Sequence, residues 1–208
     1  SSTSRILHQQ IDQIELFKPI SKWAGTLSSQ ASQETVARAI AYAFEPPYGP
    51  VFLNFDPTGP IPELPAPAGG GMSEFSQSAV EVLRASKRPL VLLGVGARPF
   101  AGRVRELLSG TDVPVLASYR AKGIIPDSAP NFAGVLTGAT TEAPLLEEAD
   151  VIVMIGVDTV EFIPNAWPYP APVLSLASWA EASTYLPIAH ECVGDLGVLV
   201  GQLTGLLD

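Results

Sequence analysis

Residues 88–99 read Arg88-Pro-Leu-Val-Leu-Leu93-Gly94-Val-Gly96-Ala-Arg-Pro99. The apolar run lacks polar alternation, which is typical of a strand buried on both faces of a parallel sheet. Gly94 and Gly96 permit a tight turn after this strand, and Pro99 suits the first turn of a helix. A strand, a glycine turn and a helix in this order predict a nucleotide-binding type of α/β domain. A full G-x-G-x-x-G would need glycine at position 99, so the dinucleotide motif is incomplete.

Helix and strand patterns continue to alternate after the first strand. We expect helices over 75–85, 100–109, 140–148 and 196–207, and strands over 90–93, 113–117, 150–155, 172–176 and 189–193. Alternation of this kind implies parallel pairing with right-handed crossovers. The predicted fold class is therefore α/β, with a doubly wound, mostly parallel, Rossmann-like sheet.

A segment rich in proline and glycine divides the chain into two unequal parts. Residues 57–72 can form neither a helix nor a central strand, so we interpret them as an extended linker. Before the linker, the pattern predicts one helix over 32–44 and one strand over 50–55. Because one helix and one strand cannot bury a core, residues 1–56 are expected to be the C-terminal part of a second α/β domain. Residues 73–208 form the main domain.

The composition excludes several classes of partner. The formal net charge is −9, and no cluster of Lys and Arg is present, which argues against nucleic acid and anionic membranes as partners. The longest apolar runs are too short to cross a bilayer, and no secretory signal is apparent. The single cysteine, Cys192, cannot form an internal disulfide and fits a reducing compartment. We therefore expect a cytoplasmic protein.

Ligands of a doubly wound sheet bind beyond the carboxyl ends of its strands. Glycine amides can approach a phosphate there, and a lysine can supply a cation. The candidate crevice residues are Gly94, Gly96, Lys122, Gly123, Gly134, Gly138 and Asp158. The same glycines also fit a simpler role, which is to close short turns between strands and helices.

Other sequence features argue against a bound dinucleotide and against catalysis by this chain. An acidic residue that binds a ribose is expected at the end of a neighbouring strand. The residues there are Ser118-Tyr-Arg and Ala177-Ser, without a carboxylate. His8 and His190 have no metal-ligand spacing, and no G-x-S-x-G sequence is present. We predict neither a metal site nor a catalytic set.

Several motifs occur in a recognisable order along the chain. In the first part they are the segments 8–23 and 49–57, the latter reading Gly-Pro-Val-Phe-Leu-Asn-Phe-Asp-Pro. In the main domain they are Arg88-Pro89 with Gly94-x-Gly96, Lys122-Gly123-x-x-Pro126, Pro130-x-Phe132-x-Gly134, and the run from Ala149-Asp150 to Gly156-x-Asp158. Together they resemble the thiamine diphosphate-dependent enzymes of the acetolactate synthase-like superfamily. The first part resembles the end of the pyrimidine-binding domain, and residues 73–208 resemble the central domain.

The resemblance implies an enzyme that uses thiamine diphosphate and Mg²⁺ to split or join bonds next to the carbonyl group of 2-oxo acids or related compounds. The cofactor performs that chemistry while the protein positions it. Family members have an activating glutamate early in the first domain and a GDG…N motif in the third. Neither occurs here, and the only Gly-Asp pair is Gly194-Asp195, followed by Leu196.

We therefore expect a fragment of a lyase or synthase, with a carboligase or decarboxylase as the parent enzyme. It would be noncatalytic, would hold no cofactor by itself and would serve a structural role in subunit packing. The expected partners are the missing domains of the same polypeptide and further copies in a homo-oligomer.

The resemblance also bears on two polar residues and on nucleotides. In intact relatives Gln9 and Lys22 would lie near the cofactor or substrate cleft, although both also fit ordinary polar positions at a domain edge. Some relatives bind FAD or ADP in the central domain and others do not; the missing strand-end acid and the pair Leu136-Thr137 favour an empty domain. Residues 157–161 differ from the R-F-D-D-R pattern of acetolactate synthases, so acetolactate itself is not implied. The alternative function is a Rossmann-like module that binds FAD, ADP or NAD.

Overall fold

The structure is a computed structural model that describes residues 11–30, 32–56, 74–163, 165–180 and 186–207. The chain divides into two compact units, residues 1–69 and residues 70–208. The predicted linker over 57–72 lies outside the described residues. Within the described ranges, no helix combines the length and the apolar character needed to cross a membrane.

The first unit contains two helices and two strands among its described residues. These are α1 (Gln13–Phe17), β1 (Trp23–Leu27), α2 (Ser32–Ala43) and β2 (Val51–Phe55). The two strands pair in parallel over their whole length. The ring of Phe17 stacks on that of Phe52 with 4.1 Å between their centres. The sequence patterns predicted α2 and β2 but neither α1 nor β1.

The second unit contains six strands and four helices in the part of the chain that is described. They are α3 (Gln77–Ala85), β3 (Pro89–Leu93), α4 (Ala101–Leu108), β4 (Val115–Ala117), β5 (Phe132–Val135), α5 (Ala143–Glu148), β6 (Val151–Ile155), β7 (Val173–Ala177), β8 (Ile188–Val193) and α6 (Leu196–Gln202). Two 3₁₀ turns, Val95–Phe100 and Thr159–Glu161, follow β3 and β6.

All six strands form one parallel sheet in the order β5-β4-β3-β6-β7-β8. This order confirms the predicted doubly wound fold. The chain builds outward from β3 to β5 and then returns to add β6 on the other side of β3. The topological switch point therefore lies between β3 and β6, where such sheets bind their ligands.

The two central strands are buried on both faces. Val91 and Leu93 of β3 pack into a core beneath α3, α4 and α6, while Leu90 and Leu92 face a second core on the other side. Leu146 of α5 covers this second core, together with Phe162, Trp167 and Tyr169 from the segment that follows β6. All five residues of β6 are buried as well. Burial on both faces explains why these strands read as unbroken apolar runs.

The opposite end of the sheet is held by the carboxylate of Asp150, which precedes β6. It accepts hydrogen bonds from the amides of Lys87 and Arg88, at 2.7 and 3.1 Å, and from the hydroxyl of Ser86. Burial raises the pKa of this carboxyl, but the hydrogen bonds outweigh it and the pKa lies below its ordinary value of 3.8. Asp150 thus ties the start of β6 to the chain that enters β3.

Several boundaries differ from the predicted ones. β5 has only four residues and was not predicted. The helix expected over 140–148 begins at Ala143, with Glu142 as its N-cap residue and Pro144 in its first turn, where proline is favoured. The last helix ends at Gln202 rather than near 207, and Gly205, three residues later, has a φ of +77°. A backbone in that region cannot continue a right-handed helix.

The loops after β3 and β6 contact each other through their backbones. The Gly94 amide donates to the Ile155 carbonyl at 3.0 Å, and the Gly96 amide donates to the Gly156 carbonyl at 2.8 Å. A Cβ atom on Gly94 would lie 2.2 Å from the Cα of Val157. Gly156 has a φ of +61°, and a Cβ there would lie 2.4 Å from the Ala97 nitrogen. Both positions therefore require glycine to let the two backbones meet.

We expect Gly94→Ala to lower the free energy of unfolding by about 2 kcal/mol or more, because the added methyl group meets backbone that cannot move aside. Gly102→Ala on the exposed side of α4 is the matched control. Nothing lies within 4 Å of a Cβ at Gly102, so alanine should stabilise the helix by about 0.5–1 kcal/mol. Urea unfolding followed by circular dichroism measures both. Equal stabilities for the two variants would contradict the described contact.

Candidate functional site

The carboxylate of Glu161 lies at the switch point and joins three segments of chain. It accepts hydrogen bonds from the Val95 amide, at 2.9 Å to Oε1 and 3.1 Å to Oε2, and from the Asp158 amide at 3.0 Å. The hydroxyl of Ser118, the residue after β4, donates to the same carboxylate. One side chain therefore links the carboxyl ends of β3, β4 and β6.

The local sequence explains how Glu161 reaches this position. Asp158 and Glu161 form a capping box around the 3₁₀ turn, in which the Asp158 side chain accepts from the Val160 amide at 3.1 Å and Glu161 bonds back to the Asp158 amide. The D-x-x-E spacing is a signal that sequence reasoning could have used. The bond to Val95, 66 residues away, has no local signature.

A second carboxylate, Glu142, is held in a similar way at the end of β5. It is 4% exposed and accepts from the amides of Thr137 and Gly138 at 2.6 Å and of Ala139 at 3.2 Å. The Thr137 hydroxyl donates to it at 2.9 Å. Burial raises the pKa of Glu142, but these donors outweigh it and the pKa lies below its ordinary value of 4.5.

A cavity of about 310 Å³ adjoins both carboxylate networks. Glu161, Thr137 and Gly138 border it, and its apolar lining is Tyr119, Leu136, Phe162, Trp167, Tyr169 and Leu186. The rings of Trp167 and Tyr169 meet edge to face at 5.0 Å. The indole Nε1 of Trp167 is buried without a hydrogen-bond partner. The cavity has room for a small apolar group. Its lining residues include no paired nucleophile and base.

The structure distributes the predicted crevice residues over several places. Gly94, Gly96 and Asp158 lie at the switch point, and Gly138 borders the cavity. Gly134 ends up within β5. Lys122 is exposed and pairs with Asp127 at 3.1 Å, while the Gly123 carbonyl accepts from Arg105 at 3.2 Å. Neither Lys122 nor Gly123 lines the cavity.

Of the two residues suggested by the family's active site, Gln9 lies outside the described residues. Lys22 closes the end of α2. Its Nζ donates to the carbonyls of Tyr42 and Glu45, both at 2.7 Å, and lies 4.0 Å from the centre of the Tyr42 ring. A cation at this position satisfies carbonyls that the helix end leaves open. The geometry gives Lys22 a structural role in the first unit.

The arrangement does not fit the phosphates or the metal of a cofactor. Across the described ranges, no group of three or more His, Cys, Asp or Glu side chains could hold a metal ion. The amide that would meet a diphosphate after β3, that of Val95, already bonds Glu161. At the switch point, the amide that would meet a diphosphate is therefore already bonded within the protein.

We expect Lys22→Met to destabilise α2 by about 1–3 kcal/mol, because two helix-end carbonyls lose a charged donor. Hydrogen exchange of the amides in residues 32–43, followed by mass spectrometry, should become faster. Lys18→Met is the control: its ion pair with Glu15 at 3.1 Å is mostly exposed, so the change should be within about 0.5 kcal/mol. Unchanged exchange in Lys22→Met would contradict the structural role.

The lowered pKa of Glu142 predicts a pH-dependent stability. A carboxyl whose pKa is depressed by folding stabilises the fold fully above its unfolded pKa near 4.5, and the contribution is lost as pH falls through the folded value. We expect the free energy of unfolding of the wild type to fall below pH 5, and Glu142→Gln to make that fall shallower. The exposed Glu148→Gln, on the same helix, should leave it unchanged. Identical pH profiles for Glu142→Gln and wild type would refute the assignment.

Comparisons with known proteins agree with the fold. The model of the family described as thiamine pyrophosphate enzyme, central domain, matches residues 76–203. The acetolactate synthase of Bacillus subtilis is 30% identical over an alignment that covers 77% of this chain and 31% of that protein. The catabolic acetolactate synthase of Raoultella terrigena is 26% identical, with 96% and 39% covered.

Solved structures give the same result for the fold. The benzoylformate decarboxylase of Polynucleobacter necessarius aligns with a TM-score of 0.73 at 24% identity, and 98% of this chain and 41% of that one are covered. The thiamine diphosphate-dependent 4-hydroxybenzoylformate decarboxylase of Rhodococcus jostii aligns with a TM-score of 0.74 at 21% identity, with 98% and 42% covered. The chain spans between 31% and 39% of the two acetolactate synthases. Since the family model covers most of the chain, this protein belongs to the thiamine pyrophosphate enzyme family and carries its central domain.

Proposed function

We propose that this chain forms the structural middle of a lyase or synthase that uses thiamine diphosphate and Mg²⁺ on 2-oxo acids or related carbonyl compounds. In this proposal the chain supplies packing surfaces, and the groups that bind the cofactor and metal lie elsewhere in the assembled enzyme. Family membership supports the cofactor class. The relatives named acetolactate synthase support carbonyl substrates.

The observation that carries the packing role is the open sheet of the first unit. Among the described residues, β1 pairs only with β2, so each strand has one edge without a partner strand. Two-stranded sheets are marginal alone, and parallel sheets are normally covered on both faces. Further strands or subunits are needed to complete this unit.

Exposed apolar side chains in the same unit support this conclusion. Phe44 and Phe55 are 74% and 62% exposed, and Ile40 and Tyr48 are more than half exposed. Large exposed apolar side chains of this kind are typical of interaction surfaces. We propose that other domains of the same polypeptide and further copies in a homo-oligomer cover them, in the cytoplasm.

The alternative of an independent nucleotide-binding module has less support. The comparisons match the thiamine pyrophosphate enzyme family rather than a nucleotide-binding one. Gly94 and Gly96, two of the glycines that suggested a phosphate site, are used for contacts between backbones.

Two measurements test the proposed function. Isothermal titration of this chain with thiamine diphosphate and Mg²⁺ should show no strong binding; micromolar affinity would overturn the assignment of cofactor groups to other parts of the enzyme. Sedimentation should show concentration-dependent association. The double variant Phe44→Asp/Phe55→Asp should weaken that association at least about tenfold, because each buried aromatic contributes about 1.5 kcal/mol or more.

The control substitution lies in the second unit. Val160→Asp changes a side chain that is 76% exposed and should leave the association unchanged. A chain that stays monomeric at high concentration, or equal effects of the two substitutions, would contradict a packing role for the first unit.

A further inference from the structure

We infer that Glu161 is a built-in anion that fills the phosphate position of this sheet and closes the crevice to nucleotides. The inference concerns the second unit alone and does not depend on the proposed function. It rests on the contacts of Glu161, on the space between two loops and on the second buried carboxylate.

The backbone donors at the switch point belong to the loop after β3. In a doubly wound sheet these amides normally receive the ligand's phosphate. Here the Gly94 amide donates to the carbonyl of Ile155, the last residue of β6, and the Gly96 amide donates to that of Gly156 in the following loop, while the Ala97 amide donates to the Gly94 carbonyl at 3.0 Å. The Val95 amide, which remains, bonds both oxygens of Glu161. Every amide from 94 to 97 thus has an acceptor within the protein.

A ribose-binding residue is expected at the end of the neighbouring strand, β4, and the residue there is Ser118. The hydroxyl of Ser118 donates to Glu161 and accepts from the Ala121 amide at 3.1 Å. The Val95 amide and the Ser118 hydroxyl, at the ends of β3 and β4, therefore converge on one internal carboxylate.

Little space separates the loops after β3 and β6. The backbone of Gly94 is so close to Val157 and Gly156 that a single added Cβ would lie 2.2 Å from a Cα and 2.3 Å from a carbonyl oxygen. A diphosphate is much larger than a methyl group. It could not pass between the two loops while β3 and β6 stay paired, so the position of the Glu161 carboxylate, beside the Val95 amide and the Ser118 hydroxyl, is where an anion would have to bind.

Two carboxylates, those of Glu142 and Glu161, bring negative charge to this region. Glu142 fills the amide cluster of Thr137, Gly138 and Ala139 on the other side of the cavity, much as Glu161 fills the switch point. The cavity is lined mainly by apolar residues; Glu161 borders it directly, and Glu142 lies behind Thr137 and Gly138, which border it too. Like charges at short range disfavour a phosphate. The crevice therefore excludes anionic ligands twice, by occupied donors and by repulsion.

The test compares ligand responses of the wild type and Glu161→Ala by thermal unfolding with ADP, FAD and inorganic pyrophosphate. The wild type should not respond. Glu161→Ala releases the Val95 amide and the Ser118 hydroxyl and removes the charge, so pyrophosphate at ten times its dissociation constant should raise the melting temperature by about 3–6 °C. Stabilisation of the wild type by any of the three ligands would overturn the inference.

Two controls separate the carboxylate from other effects. Glu148→Ala changes the net charge equally at an exposed position, and Ser118→Ala removes one donor while it leaves Glu161 in place. Neither variant should respond to pyrophosphate. A response of Glu148→Ala equal to that of Glu161→Ala would reduce the effect to net charge and overturn the inference.

A further variant keeps the inference testable if Glu161→Ala does not fold. Glu161→Gln preserves the side-chain volume and removes the charge, and pyrophosphate should stabilise it to a smaller degree. In the folded wild type, amide resonances of Val95, Ser118 and Gly156 should not move when ADP or FAD is added. Movement of those resonances, or a folded Glu161 variant that ignores pyrophosphate, would show that the carboxylate does not occupy an anion site.

Discussion

The backbones that leave β3 and β6 touch each other, and the architecture of the second unit depends on that contact. Both strands are buried on both faces, so helices cover the sheet above and below and its ends are the natural place for a ligand. Glycine at 94 and 156 lets the two loops meet with no side chain between them. Sheets of this class usually leave this point open to a ligand. Here it is closed by a backbone contact that involves Gly94, one of the residues that suggested a ligand site.

Three carboxylates of the second unit act as acceptors for backbone amides rather than as partners of basic side chains. Asp150, Glu142 and Glu161 each accept at least two amide hydrogen bonds and one from a hydroxyl. Hydrogen bonds to an ionised group are stronger than neutral ones, and they offset part of the cost of removing the charge from water. Asp150 and Glu161 each connect segments that are far apart in the sequence, and Glu142 closes a turn of the chain. An acidic composition therefore contributes to the cohesion of the fold.

The sequence predicted those parts of the fold whose signals are local and repeated. Unbroken apolar runs identified β3 and β6, and alternation identified the doubly wound sheet. β1 and β5 were missed because each contains a glycine and is only partly buried, so neither shows an apolar run or a two-residue alternation. Gly94 and Gly96 lie at the switch point, but their spacing cannot distinguish contact with a phosphate from contact with another loop. The role of Glu161 depends on a partner 66 residues away, which only the folded chain brings within reach.

The lone thiol of Cys192 lies on β8 in the core covered by α6, where it is 3% exposed. Burial raises its pKa, so the reactive thiolate is scarce at neutral pH. A thiol reagent can therefore reach the sulfur only when α6 lifts away or the sheet edge opens. The rate at which Cys192 is alkylated therefore reports how often this edge of the native protein opens.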